Sequence, residues 1–144
     1  MKKAILIIIT LLFLSCNKDI TSHLSDKEVL IPKLFLPEIV TSLKTKEFGL
    51  AISPIDAKKI FFTRRIGNER QKIYETNYIN GKWTKPVIAS FSTDRDESPH
   101  FSADGKSLYF GSERAIKGRP NKGNFDMNVW KTNFENGKWS TPIP

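Results

Sequence analysis

One cysteine and two histidines in 144 residues narrow the chemistry before any motif is read. A lone Cys16 leaves no intrachain disulfide, so the fold has to stand on burial alone. His23 and His100 are distant in the chain, and a zinc site needs three or four ligands at workable spacing. No metal and no cofactor are therefore expected. No Gly-x-Ser-x-Gly surrounds a serine and no glycine-rich phosphate loop occurs, so no catalytic residue is assigned. No segment repeats its apolar residues with a helical period. The basic residues are not gathered into a run either. The formal charge of +8 comes from 23 basic and 15 acidic side chains scattered along the chain. A nucleic-acid stripe needs clustering, and nucleic acid is not an expected partner.

At the N-terminus, Lys2-Lys3 precede the run Ala4 to Leu14, eleven residues long, with small Ser15 before Cys16. That run is shorter than the roughly 20 residues of a spanning helix and reads as a secretory signal. Phe13-Leu14-Ser15-Cys16 resembles a lipobox, where bacterial lipoproteins are cut and acylated on the cysteine. Cys16 is thus the expected lipid-attachment residue. The competing reading is an ordinary secreted protein with a free thiol. Loss of Lys2 and Lys3 with the signal leaves 21 basic residues against 15 acidic, a charge of +6. Residues 17–28 are polar and read as a tether. Residues 29–46 are apolar but carry Pro32 and Pro37, which suits an extended lead-in strand at an edge.

The dominant feature lies further on. Residues 73–87 (IYETNYINGKWTKPV) return at 129–143 as VWKTNFENGKWSTPI. Seven positions are identical: Thr76/Thr132, Asn77/Asn133, Asn80/Asn136, Gly81/Gly137, Lys82/Lys138, Trp83/Trp139 and Pro86/Pro142. Upstream, Ser53 and Lys58 to Phe62 match Ser102 and Lys106 to Phe110. A period of about fifty residues made of short strands predicts propeller blades or a related array. Strands are expected near 48–53, 59–64, 72–78 and 83–89, then near 98–102, 107–112, 127–134 and 138–143. Asp104-Gly105, Asn80-Gly81 and Asn136-Gly137 supply tight turns. The stretch from Ala115 to Asn124 is an inserted loop. The fold class is all-β, with two four-stranded antiparallel blades over 47–144, at about 47–90 and 91–144. Two blades leave outer faces exposed, so the remaining blades are expected in cis or in other copies.

Ser102-Ala103-Asp104-Gly105-Lys106-Ser107-Leu108-Tyr109-Phe110-Gly111-Ser112-Glu113-Arg114 resembles the TolB-like (WD-type) β-propeller repeat, as do Asp126 leading into a strand and Gly137-Lys138-Trp139-Ser140-Thr141-Pro142. The first repeat departs from the pattern. It lacks the turn glycine between Asp56 and Lys58, which puts its hairpin type in question, and it has Arg64-Arg65 where the repeat has Ser-x-Arg. Ser102 to Tyr109 also looks like the sialidase Asp-box, but with Asp and Gly adjacent, and that box is peripheral and structural.

Trp83 and Trp139 recur once per repeat, which favours core over a sugar platform, and Phe61, Phe62, Tyr109 and Phe110 are expected in the core with them. Asp94, Asp96 and Glu97 read as an inter-blade loop rather than a catalytic carboxylate pair. Candidate ligand-binding residues are those near blade ends: Arg64, Arg65, His100, Arg114 and Asp126. Arg114 and Asp126 have a competing role as a pair tying strands together. The resulting expectation is a non-catalytic binding or scaffold module, lipid-anchored in a bacterial cell envelope, at the outer membrane in the periplasm or on the surface, with an envelope protein or glycan as partner. The alternative is part of a propeller-type glycosidase or lyase with its catalytic residues elsewhere.

Overall fold

The computed structural model describes residues 31–120, 123 and 125–144. The signal, Cys16 and the tether lie outside them. From Leu34 to Pro144 the chain forms one compact unit made of two antiparallel sheets. The first holds β1 (Thr45–Ile52), β2 (Lys59–Ile66), β3 (Lys72–Ile79), β4 (Lys82–Trp83) and β5 (Val87–Ile88). The second holds β6 (Asp96–Phe101), β7 (Ser107–Ser112), β8 (Asn128–Glu135) and β9 (Lys138–Trp139). Each is a meander in chain order, with β5 returning to pair with β3. Two repeated sheets of this kind are compatible with a propeller-type arrangement.

The expected fourth strand is interrupted in both repeats. Residues Thr84 to Pro86 separate β4 from β5, and Lys131 meets Ile143 in an isolated bridge, as Glu75 meets Val87. Pro86 and Pro142 cannot donate to the ladder, which breaks it there. Side chains close the gap. The Thr76 hydroxyl donates to Thr84 O at 2.7 Å, and the Asn77 N–H donates to Thr84 Oγ1 at 3.1 Å. In the second sheet Thr132 donates to Ser140 O at 2.7 Å and Asn133 N to Ser140 Oγ at 3.0 Å. The repeated threonines are buried for this purpose; a hidden carbonyl left without a partner costs about 1–3 kcal/mol.

The turns repeat as well. Asn80-Gly81 and Asn136-Gly137 have φ of 50°, 79° and 50°, 76°, the left-handed pair that a two-residue hairpin turn requires. In the first repeat the missing glycine is replaced by Ala57 at φ 52°, where the second has Gly105 at 68°. In both, an aspartate takes the next N–H: Lys58 to Asp56 and Lys106 to Asp104, each at 3.0 Å. The two loops differ in size: Ala57 N donates to Ser53 O, four residues back, while Gly105 N reaches Ser102 O, three back. β1 and β6 each carry a bulge, with Gly49 at φ 59° and Ser98 at 55°. The bulges meet, and Ser98 N donates to Thr63 Oγ1 at 2.8 Å.

Ala51, Phe61, Ile73, Ala89 and Phe91 pack against Phe101, Leu108, Phe110 and Trp130 across the sheets, with half-buried Trp139 at the margin. On the opposite face of the first sheet, Ile60 and Phe62 pack with Val40, flanked by Leu36, Ile39, Tyr74 and Trp83. Within the lead-in, Leu36 to Thr41 form a compact turn rather than an extended strand, while Thr45 and Lys46 already belong to β1. Leu36 O accepts from the N–H groups of Ile39, Val40 and Thr41, with Leu36 and Glu38 at positive φ. Folding back in this way covers Ile60 and Phe62, which an extended arm would leave partly bare.

Core placement differs from expectation at Tyr109. Phe61 and Ile73 are fully buried at 0 % exposure, yet their counterparts Tyr109 and Val129 are 39 % and 68 % exposed. The first pair is covered by the second sheet; among the described residues no further sheet covers the second.

Contact between the bulges sets a test. A Cβ on Gly49 would lie 2.8 Å from Ser98 Cα, whereas one on Gly81 would meet nothing within 4 Å. Both replacements strain a positive φ, by about 1–2 kcal/mol, and only Gly49→Ala adds a clash with backbone. Urea denaturation should show Gly49→Ala the less stable of the two; equal losses would contradict the close approach.

Candidate functional site

Arg64 and Arg114 are used in the same structural way, although they stand at different positions of the repeat. The Arg64 guanidinium lies 4.9 and 5.3 Å from the rings of Phe62 and Tyr74, and that of Arg114 lies 5.2 and 5.7 Å from Phe110 and Trp130, the repeat counterparts. Arg64 Nε donates to Glu47 at 2.9 Å and Nη2 to the carbonyls of Ile39 and Val40 at 2.9 and 3.1 Å. Arg114 Nη2 donates to Asp96 Oδ2 at 3.0 Å and to Thr93 Oγ1 at 3.1 Å, and also reaches Phe91 O. Each arginine clamps the segment entering its sheet against an aromatic pair. Removing one partner of such a buried pair typically costs about 3–5 kcal/mol.

Strand alternation divides the acidic run. Asp94 lies before β6, while Asp96 opens the strand and is fully buried, accepting from Ser92 Oγ at 2.9 Å, Asp94 N at 3.2 Å and Arg114. The expected loop position fails for Asp96 and Glu97, the first two residues of β6, and Asp96 faces inward. Asp126 and Arg114 are not a pair: Asp126 Oδ1 accepts from Arg119 Nη2 at 3.0 Å. His100 is exposed on β6, directly across from Tyr109 on β7, on the uncovered face. Among the described residues no group of three or more His, Cys, Asp and Glu side chains is placed to hold a metal ion.

The remaining candidate, Arg65, lines a cleft of about 250 Å³ with Arg70, Gln71, Arg95, Glu113 and Phe125. Its elements are the ends of β2 and β7, the turn between β2 and β3, and the segments flanking β6 and preceding β8. Glu113 is the hub. It sits 2.5 Å from Arg95 Nη1 and 3.2 Å from Arg70 Nη2, and it accepts the Phe125 N–H at 2.7 Å. Arg70 also reaches Asp94 at 3.1 Å, and Arg95 reaches Glu97 at 3.5 Å. The Phe125 ring lies 4.5 Å from the Arg95 guanidinium. Burial pushes the Glu113 carboxyl upward, but the Arg95 hydrogen bond, the Phe125 N–H and the charges of Arg95 and Arg70 together hold it below the ordinary range.

Reasoning from sequence reached Arg65 and missed Arg70, Arg95, Glu113 and Phe125. The first three were hidden because their meeting depends on how two sheets pack, and Phe125 because it lies beside an inserted loop. A weak signal existed: Glu113 is the repeat counterpart of Arg65, a charge reversal at an otherwise matched strand end.

A depressed folded-state carboxyl contributes stability above its unfolded value and loses it as pH falls through the folded value. Here the unfolded reference is 4.5, so the contribution is intact at neutral pH and is lost below that value. Glu113→Gln should therefore be less stable than wild type at pH 7 and show a shallower decline on acidification, read from urea midpoints across pH. Parallel acid limbs would remove Glu113 as the hub.

A further cleft of about 450 Å³ runs along Phe91, Thr93, Arg114, Trp130, Trp139 and Pro142. Arg114 Nη1, Trp130 Nε1 and Trp139 Nε1 are buried without hydrogen-bond partners. Because those atoms are sealed from solvent, they are not available to a ligand in this arrangement.

Compared with known proteins, the chain matches no protein-family model and no curated protein.

Proposed function

We propose that this chain is a non-catalytic binding or scaffold module of the bacterial cell envelope, built from TolB-like (WD-type) propeller blades and held at a membrane by a lipid on Cys16. The observation that carries it is the inequality of the two sheets. Phe61 and Ile73 are sealed by a neighbouring sheet, while Tyr109 and Val129 occupy the same positions on an uncovered face. His100 and Ile143 border that face and are exposed too. A sheet like the second one is the cover that the first sheet already uses. The uncovered face therefore receives a further blade, in cis or from another copy. The proposed partner, an envelope protein or glycan, meets the polar ends of the sheets. Asp96, the acid best shielded from water, is committed to Arg114, which favours this reading over glycan hydrolysis or elimination.

Val129→Lys places a charge where packing is required, on a strand position that tolerates it in the isolated unit. In sedimentation of the chain, concentration-dependent association should be present in wild type and lost in Val129→Lys. A wild type that stays monomeric and binds no hydrophobic dye would sink the proposed docking face.

The anchor is checked separately. Metabolic labelling with a fatty-acid analogue should tag wild type and not Cys16→Ser. Equal labelling of both proteins would rule out lipid attachment at Cys16.

A further inference from the structure

We propose that the cleft beside β2 binds a carboxylate side chain of an acidic protein segment, with Arg65 as its fork and Phe125 as the apolar surface next to it. This rests on the binding-module reading and names the partner chemistry of one site.

Arg65 differs from every other arginine of the chain. Arg64, Arg70, Arg95, Arg114 and Arg119 each have an ion pair. Among the described residues Arg65 has none; its Nε is sealed without a hydrogen-bond partner, and its two Nη groups, which are not sealed, are the ones that can meet a ligand. Its cross-strand neighbour on β1 is Lys46, so the strand pairing sets like charge against like. Opposed like charges are destabilising, and a half-buried cation without an acid loses hydration that nothing repays. The second sheet meets the same strand position with Glu113, but that carboxylate is already shared by Arg70 and Arg95. Among the described residues Arg65 is therefore the arginine without an acid.

Its composition selects the anion. Arg70 and Arg95 are each paired twice, with Glu113, Asp94 and Glu97 as their acids, and Arg65 is the lining arginine left without one. A single unpaired guanidinium suits a singly charged carboxylate, which it holds with two parallel hydrogen bonds. A phosphate dianion would be overcompensating and would approach Glu69 and Glu113 in the lining. The volume, about 250 Å³, lies just under the ~300 Å³ where pockets for drug-sized ligands begin, so the cleft admits one side chain.

Phe125 indicates the kind of molecule that carries it. Its ring is 72 % exposed, and its φ of 70° is a left-handed conformation that a bulky residue seldom adopts. The backbone is held there by Glu113, and the ring rests on Arg95. Strain at a cleft mouth is a mark of a functional site. An exposed aromatic beside an arginine is the residue pairing that carries protein interfaces. A sugar would need several partners for its hydroxyls. Gln71 already donates its amide to Glu97, leaving Asn68 as the lining amide without such a bond.

The test is an NMR titration of the whole chain with the blocked peptide acetyl-Ala-Glu-Leu-Ala-amide and its Gln-containing twin. The Glu peptide should shift the Arg65 Nε–H and Phe125 N–H signals, and the Gln twin should not. Arg65→Gln should weaken binding by about tenfold, the scale of one lost charge-assisted bond, while Lys131→Gln leaves it unchanged. Phe125→Ser, which leaves every ion pair in place, should also weaken it. Equal response to both peptides overturns the proposal. So does a response to glucuronate stronger than to the peptide, which would indicate a glycan, or an equal response to sodium sulfate, which would indicate an adventitious ion only. Shifts confined to Tyr109 and Val129 would overturn the cleft and leave the binding-module reading standing.

Discussion

The ring of Phe61, fully buried, has Phe91 at 5.7 Å, Phe101 at 5.6 Å and Trp139 at 5.5 Å around it, the last edge-on. Both sheets take their relative placement from this cluster. Phe61 belongs to β2, Phe101 to β6 and Trp139 to β9, while Phe91 comes from the connection between the sheets. Interiors pack at near-crystalline density, so a shift of either sheet would open a void beside four rings at once. A one-residue slip of β2 would also turn Phe61 outward and bring Ile60 in its place. The bulge contact between Gly49 and Ser98 is the backbone counterpart of this constraint. It lets the first strands of the two sheets approach until Thr63 can accept the Ser98 N–H.

Much of this was legible in the sequence because it is local. Asn80-Gly81 and Asn136-Gly137 place their turns by φ alone, and the alternation around Ile60-Phe61-Phe62 marks a strand with both faces apolar. Strand spans inferred from such signals agree with the structure to within a few residues, apart from the fourth strand. There the reading gave Pro86 and Pro142 too little weight, since Thr76 and Thr132 complete the pairing from the side. The gap-closing role of these threonines could be read only after the break was seen. Tyr109 was misplaced for a different reason. A strand pattern tells that a face is apolar, and it cannot tell whether a neighbour is present to cover it.

The candidate site was harder because its geometry is long-range. Arg64 and Arg114 look unrelated, since Ser112 stands where Arg64 has its counterpart. The fold nonetheless brings both guanidinia over the same aromatic pair, one from inside β2 and one from two residues beyond β7. What is preserved between the repeats is the position of the charge in space. Asp96 and Glu47 are preserved in the same sense, at matched strand positions with side chains of different length. No local spacing rule reports such an exchange.

Comparing the two repeats also separates architecture from function. Positions that are the same in both, such as Thr76/Thr132 and the Asn-Gly turns, solve a problem that each sheet has by itself. Positions that differ answer what lies next to each sheet. Phe61 is sealed by the second sheet while Tyr109 at the same strand position is 39 % exposed. Arg65 and Glu113 differ in sign, and that difference leaves one arginine without an acid beside a network in which every other arginine has one. A repeat that served shape alone would gain by pairing Arg65 as well, since an acidic residue in place of Lys46 would do so at little cost. The mismatch distinguishes this end of the sheets from the Trp-lined margin, and an acid from the proposed partner would complete it.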